Sequence, residues 1–317
     1  MNAARETLRI GTRRSPLAMW QAEYVRTALL ESNDGLLVEL VPIETKGDKI
    51  LDVALSKVGG KGLFVKELEL ALLAGEVDLC VHSAKDMPAE LPESLDLVCF
   101  PPRADPRDAL VLGGAGGIRT LPVGAKVGTS SLRRQAQLLH QRPDLEIVPL
   151  RGNIQTRMRK VKELGLCCAV LACAGLDRMG DQEKIAHRLE ADEMLPAAAQ
   201  GILAIEARED DAFVRSCLAQ LDDSLARRQA LAERAFLARL GGGCQVPISA
   251  HCQEQGDELI LWGMVARPDG SEMVRVVGSM KTDGEEPRHF GDRMGQNILE
   301  LGAHRILADM GLVEDAR

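Results

Sequence analysis

Cys244 follows Gly241-Gly242-Gly243 and precedes Gln245-Val246-Pro247. A thiol on bendable backbone just past a helix suits covalent chemistry; it equally suits a small apolar side chain packed in a turn, the common fate of a free cysteine. Asp86 stands in His82-Ser83-Ala84-Lys85-Asp86-Met87-Pro88, at the end of a strand and among cations. A lone carboxylate there can offset developing positive charge where water is excluded. Its plainer use is as a cap or turn residue before Pro88. Cations crowd the expected strand ends: Arg13, Lys46, Lys61, Lys85, Arg133, Arg134, Arg151, Arg157 and Arg178. Guanidinium forks fit carboxylates bidentately, so several around one cleft would hold a ligand bearing many carboxylates. Arg14 and Arg159 read instead as solvated helix faces.

The run from Lys57 through Lys61 to Gly62 lacks the first glycine and the Ser/Thr of a phosphate loop. It reads as a lid over the cleft, with a plain connection as the alternative. His82, His140 and His251 have no motif spacing to Cys244 and read as structural.

Positioning such groups takes more than one core, and 317 residues with 45% hydrophobic content allow two or three domains. A net charge of −8, a pI near 5.4 and 3% aromatics argue against a nucleic-acid surface. The eight cysteines form no Cys-x-x-Cys pair and no zinc-type spacing with histidine, so no metal is expected. Met1 to Thr7 holds Glu6 and no apolar run, and no later segment is long and uncharged enough to span a bilayer. A reduced cytosol, with no membrane partner, is the expected setting.

Strand and helix signals alternate from the start. Leu8 to Thr12 reads as a strand, Ser15-Pro16 opens a helix to about Glu31, and Leu36 to Thr45 is a second strand. A helix from Leu63 to Ala74, closed by Gly75, leads to a strand from Val77 to His82. This order predicts a parallel sheet. The pattern returns as a strand at 125–129, a helix capped by Ser130-Ser131 through His140, a strand from Glu146 to Leu150, a helix from Ile154 to Leu164 and a strand from Cys167 to Ala174. Turn chemistry echoes between the halves: Gly11-Thr12 with Gly128-Thr129, Lys46-Gly47-Asp48 with Arg151-Gly152-Asn153, and Lys85-Asp86 with Leu176-Asp177. Ligands of such sheets sit beyond the carboxyl ends of strands, where these echoes lie. From about Ser224 a helix with Leu225, Ala232, Ala235, Phe236 and Leu240 on one face, strands at 258–265 and 273–279, and a final helix from Arg288 to Met310 predict a small α+β domain. Gly241 reads as that first helix's left-handed cap.

With these pieces assembled, the chain resembles the porphobilinogen deaminase family from about Leu8 to the last helix. The resemblance rests on residues 11–18 (Gly-Thr-Arg-Arg-Ser-Pro-Leu-Ala), 59–64 (Gly-Gly-Lys-Gly-Leu-Phe), 82–88, 128–134 (Gly-Thr-Ser-Ser-Leu-Arg-Arg), Leu150-Arg151-Gly152-Asn153 and 241–247. It implies an α/β fold of two doubly wound domains similar to periplasmic binding proteins plus a small α+β C-terminal domain, here 1–101 with 202–219, 107–195 and 224–317. It further implies a cytosolic, monomeric transferase that joins four porphobilinogen units head to tail with release of ammonia. By the same resemblance a dipyrromethane cofactor is attached as a thioether at Cys244, and Asp86 matches the catalytic acid. Lys85, Thr129, Ser130, Ser131, Arg133, Arg134 and Gly152 match cofactor-side positions; Arg13, Ser15, Arg151, Arg157 and Arg178 match positions facing substrate or growing chain. Lys57, Lys61 and Phe64 fall in the lid. Ala199 stands where relatives usually have glycine. Two rivals remain open on residues alone: a two-lobed anion-binding protein without catalysis, and a cysteine acyltransferase, which would need a base beside the thiol.

Overall fold

The computed structural model describes residues 7–49, 64–242, 246–282 and 284–312. Its strands are β1 (Thr7–Arg13), β2 (Leu37–Ile43), β3 (Leu79–Ser83), β4 (Leu95–Cys99), β5 (Asp108–Val111), β6 (Lys126–Gly128), β7 (Glu146–Val148), β8 (Cys168–Ala172), β9 (Ile185–Leu189), β10 (Leu203–Arg208), β11 (Ile248–Gln255), β12 (Glu258–Ala266) and β13 (Met273–Lys281). They form three sheets, ordered β2-β1-β3-β10-β4, β7-β6-β8-β5-β9 and β11-β12-β13. The chain divides into two compact units, 1–103 with 202–227 and 104–201 with 228–317. The first unit holds the first sheet and the second unit holds the other two.

Both five-stranded sheets are covered on two faces, as expected of apolar strands joined by helices. In the first unit Leu8, Ile10, Leu79 and Val81 pack with Ala22, Val25 and Leu29 of the helix Pro16–Ser32. Cys80 and Val77 meet Leu68 and Leu72 of the helix Lys66–Leu73 on the opposite side. The second unit repeats the plan, with Val127, Cys168 and Val170 against Leu138 on one face and Ala109, Val111 and Leu171 against Leu176 on the other.

The sheets are not wholly parallel, as the alternating pattern had predicted. β1 pairs parallel with β2 and β3, and β6 with β7 and β8, but β10 runs antiparallel between β3 and β4 and β5 antiparallel between β8 and β9. Each inserted strand comes from a distant crossover, so no local turn announces it. Two element boundaries also differ. β8 stops at Ala172 because Cys173–Arg178 is a helix, and the final helix is Pro287–Ile298 followed, after a π-type turn, by His304–Asp309. Gly302 breaks it with a φ of 109°, open to glycine and not to helix.

The antiparallel meander β11–β13 belongs to the second unit, where Met264 and Ala266 pack on Ala136 of the helix Leu132–Gln141. Gly241, with φ 62°, ends the helix Ser224–Arg239 in the left-handed conformation. Glu233 of that helix is fully buried and was absent from the apolar face read in the sequence. Its two oxygens accept from the backbone N–H of Ala199 at 2.5 Å and of Cys252 at 2.6 Å, tying the helix to the segment around Ala199 and to β11. Ala199 itself takes a φ of 58°.

Gly270, in the β12–β13 turn, has a φ of +74°, and a Cβ there would stand 2.4 Å from the backbone nitrogen of His140. His140 Nδ1 meets the Gly270 carbonyl at 2.9 Å across the same contact. Gly270→Ala should therefore destabilise the second unit by about 1–2 kcal/mol from backbone conformation alone, and more from the clash. A denaturation midpoint equal to wild type would contradict that contact.

Candidate active site

In the first unit the parallel register of β1 and β3, Ile10 opposite Leu79 and Gly11 opposite Cys80, puts their carboxyl ends side by side. Arg13 closes β1, and Ser15 caps the next helix by accepting from the Ala18 N–H at 3.3 Å. β3 passes into a single 3-10 turn, Ala84–Asp86. These ends border a cavity of about 430 Å³, open mouth included, whose lining includes Arg13, Ser15, Gln21, Phe64, His82, Ser83 and Asp86. Asp86 is exposed there and has no ion-pair partner among the described residues. The Arg13 guanidinium lies 4.2 Å from the centre of the Phe64 ring, which holds the cation at the rim. Gln21 Nε2 donates to Ser83 Oγ at 2.9 Å and joins the two walls. Lys85 is half-buried beside Asp86. The acid and a guanidinium thus border one cavity, able to meet developing positive charge and a carboxylate together.

The second unit presents the corresponding strand ends. β6 and β7 pair parallel, so the starts of the helices Leu132–Gln141 and Ile154–Glu163 lie together. Ser131 caps the first and Asn153 the second. Ser130 Oγ donates to the Leu150 carbonyl at 2.7 Å, and Thr129 Oγ1 accepts from the Ser131 N–H at 3.2 Å. Gly152 lies on the same loop with a φ of 109°. Two helix N-termini side by side suit an anion.

Arg133 and Arg134 are buried, not the solvated face that a charge run suggests. Asp108, at the start of β5, holds both: Oδ2 accepts from Arg133 at 2.7 Å, and Oδ1 accepts from Arg134 Nε at 3.1 Å and Nη2 at 2.7 Å. Gln200 adds a donor to Oδ1 at 2.9 Å. The remaining guanidinium edges donate to the carbonyls of Leu195 and Val170. Burial alone would raise the Asp108 carboxyl; the two guanidinium groups and Gln200 outweigh it and hold it far below the usual range. Two cations against one anion, at the positive end of a helix with no acid in its first turn, leave one positive charge over.

Arg151 and Arg157 are half-buried on the same loop and helix, and Arg178 donates to the Gly201 carbonyl at 2.9 Å. Arg159 is a solvated pair with Glu163, as expected of it. Asp177, the echo of Asp86, is taken up by Arg188 at 2.6 Å, which leaves Asp86 chemically distinct from it. Cys244, Lys57 and Lys61 lie outside the described residues. Gln21, Asp108, Gln200 and Glu206 escaped the sequence reading, since each meets its partner across a long sequence gap.

Residues 8–216 match the family model for the dipyrromethane cofactor binding domain of porphobilinogen deaminase, and residues 228–300 match that for its C-terminal domain. The chain belongs to the porphobilinogen deaminase family. The relative from Syntrophotalea carbinolica is 51% identical, covering 96% of each chain, and that from Geobacter sulfurreducens is 50% identical, covering 96% of this chain and 94% of its own. A third, from Xanthomonas axonopodis pv. citri, is 48% identical over 96% of this chain and 99% of its own. Membership makes the chain a transferase acting on a small molecule and favours the enzyme reading over a two-lobed anion-binding protein. The surplus buried positive charge beside two helix N-termini suits a dipyrromethane, whose rings carry several carboxylates.

Proposed function

We propose that the chain condenses four porphobilinogen molecules head to tail, releasing one ammonia for each, to give a linear hydroxymethylbilane. The observation that carries this reading is Asp86 on its exposed turn, sharing a cavity with Arg13. Loss of ammonia from the aminomethyl group of porphobilinogen leaves a cationic azafulvene. Asp86 accepts the pyrrole N–H and offsets that cation. Arg13, Ser15, Arg151, Arg157 and Arg178 take the acetate and propionate groups of the substrate and the lengthening chain. Lys57, Lys61 and Phe64 serve as a lid that keeps water out.

The cofactor would be held by Lys85, Thr129, Ser130, Ser131, Arg133, Arg134 and Gly152 and attached through a thioether to Cys244. When bound, it supplies the nucleophilic α carbon on which the chain grows. Residues 1–101 with 202–219, 107–195 and 224–317 act as three domains, the last presenting the cysteine. The enzyme works as a monomer in the cytosol, with no nucleic-acid or membrane partner; its acidic balance and low aromatic content argue against a nucleic-acid surface. No described helix is long and apolar enough to cross a membrane.

The test is intact-protein mass of the purified chain beside Cys244→Ser. Wild type should carry the mass of two linked pyrroles and convert porphobilinogen, and the variant should carry none and convert none. An adduct retained on Cys244→Ser would displace the attachment from that sulfur.

A further inference from the structure

Below the Asp86 cavity lies a layer of titratable groups that the reading above leaves unused. Cys80 and His82 face the same side of β3, and the antiparallel register sets Glu206 of β10 opposite Cys80 and Ala204 opposite His82. Glu69 comes down on this side from the helix Lys66–Leu73. Glu206 is fully buried and His82 nearly so, with Glu206 Oε2 3.1 Å from His82 Nε2. The other oxygen, Glu206 Oε1, is buried with no hydrogen-bond partner among the described residues.

The charges around this pair can be read group by group. Burial pushes the Glu69 carboxyl up, and Glu206 pushes it further. Burial, then Glu206 and Glu69, push the Cys80 thiol far up. Arg208 is the buried-side cation, and it is held by Asp211, by Asp78 and by the carbonyls of Leu72 and Val77; Lys66 is exposed to water. Asp86 lines the same cavity as His82. Glu206 is thus the carboxyl group in hydrogen-bond contact with His82, and its second oxygen has no other partner among the described residues. A proton arriving at the imidazole would therefore meet a buried carboxyl group already 3.1 Å from the opposite ring nitrogen.

We propose that His82 is the proton acceptor of the Asp86 cavity and that Glu206 is the residue that positions it and balances its charge. This rests on the deaminase reading, since that reaction must remove a proton at each condensation. The C–H bond at the α carbon of the attacking pyrrole breaks, and its electron pair restores the aromatic ring. The proton passes to the His82 nitrogen that does not face Glu206. From the imidazolium it moves to the ammonia already expelled with the C–N electron pair, or to water. His82 sits in the cavity lining at the end of the strand that delivers Asp86, so one strand supplies both the anion that steadies the cation and the base that ends the step.

The experiment compares wild type, His82→Gln and Glu206→Gln as loaded full-length proteins, with porphobilinogen carrying hydrogen or deuterium at its free α carbon. His82→Gln should lose at least about tenfold in kcat, with KM little changed and with an isotope ratio above the wild-type value, because proton removal becomes the slow step. Glu206→Gln should shift the acid limb of the kcat profile to lower pH, since an imidazole without its counter-ion holds a proton less well. A readout free of turnover is the NMR titration of the ring signal that vanishes in His82→Gln; its midpoint should fall in Glu206→Gln. An unchanged midpoint, or a slowed His82→Gln with a wild-type isotope ratio, would overturn the assignment and leave the deaminase reading standing. No turnover by loaded wild type would remove the deaminase reading, and this assignment with it.

Discussion

Asp86→Asn is expected to leave both units folded and to cut kcat by about 10²–10³-fold, the loss seen when one preorganised electrostatic group is removed from a site. The side chain is exposed, ends a single 3-10 turn and has no ion pair among the described residues. Its replacement by an isosteric amide should therefore move stability by no more than about 0.5 kcal/mol. The amide still offers an oxygen to a pyrrole N–H, so porphobilinogen should bind with a KM near that of wild type. What disappears is the negative charge, felt only when the substrate becomes a cation, and such an interaction appears in kcat. Steady-state consumption of porphobilinogen with a thermal melt on the same sample decides the matter. A kcat near that of wild type with an unchanged melt would take the chemistry away from Asp86.

The parts of the fold legible in the sequence were those written locally. Leu8 and Ile10 alternate with Arg9 as a strand should, and Ser15-Pro16 starts the helix where a cap and a first-turn proline should. Gly241 ended its helix in the conformation expected. The antiparallel strands were illegible for a physical reason. β5 is four residues, Asp-Ala-Leu-Val, buried on both faces and so without alternation, and β10 finds β3 more than a hundred residues away. The same distance hid the supports of the site. Arg133 and Arg134 read as cleft cations, but nothing near them in sequence showed that Asp108, from another strand, would bury and pair them. The contact of His82 with Glu206 was likewise announced by no local spacing. Charge clusters in a fold are set by sheet order, which a periodicity does not encode.

Asp108→Asn is the substitution expected to cost most stability. Its carboxylate is fully buried and is the sole anion paired with Arg133 and Arg134 among the described residues. Removing one partner from a buried cluster strands the others, so about 3–5 kcal/mol should be lost at neutral pH, read as a lower denaturant midpoint for the second unit. The pH dependence follows from the direction of the shift. The folded carboxyl titrates far below an unfolded one because the two guanidinium groups overcome the effect of burial. Its contribution is then complete above the unfolded value, at about pH 4, and drains away as pH falls toward the folded one. Wild type should weaken through that acid range by an increment that Asp108→Asn lacks, so the two stability curves should converge as pH drops. Parallel curves across the range would mean that the charge of Asp108 is not what holds the arginines. Anions add a second check, because the variant's two uncompensated guanidinium groups should draw sulfate into the site. Added sulfate should then recover more stability in Asp108→Asn than in wild type, by the linkage that binds any ligand of the native state to its stability.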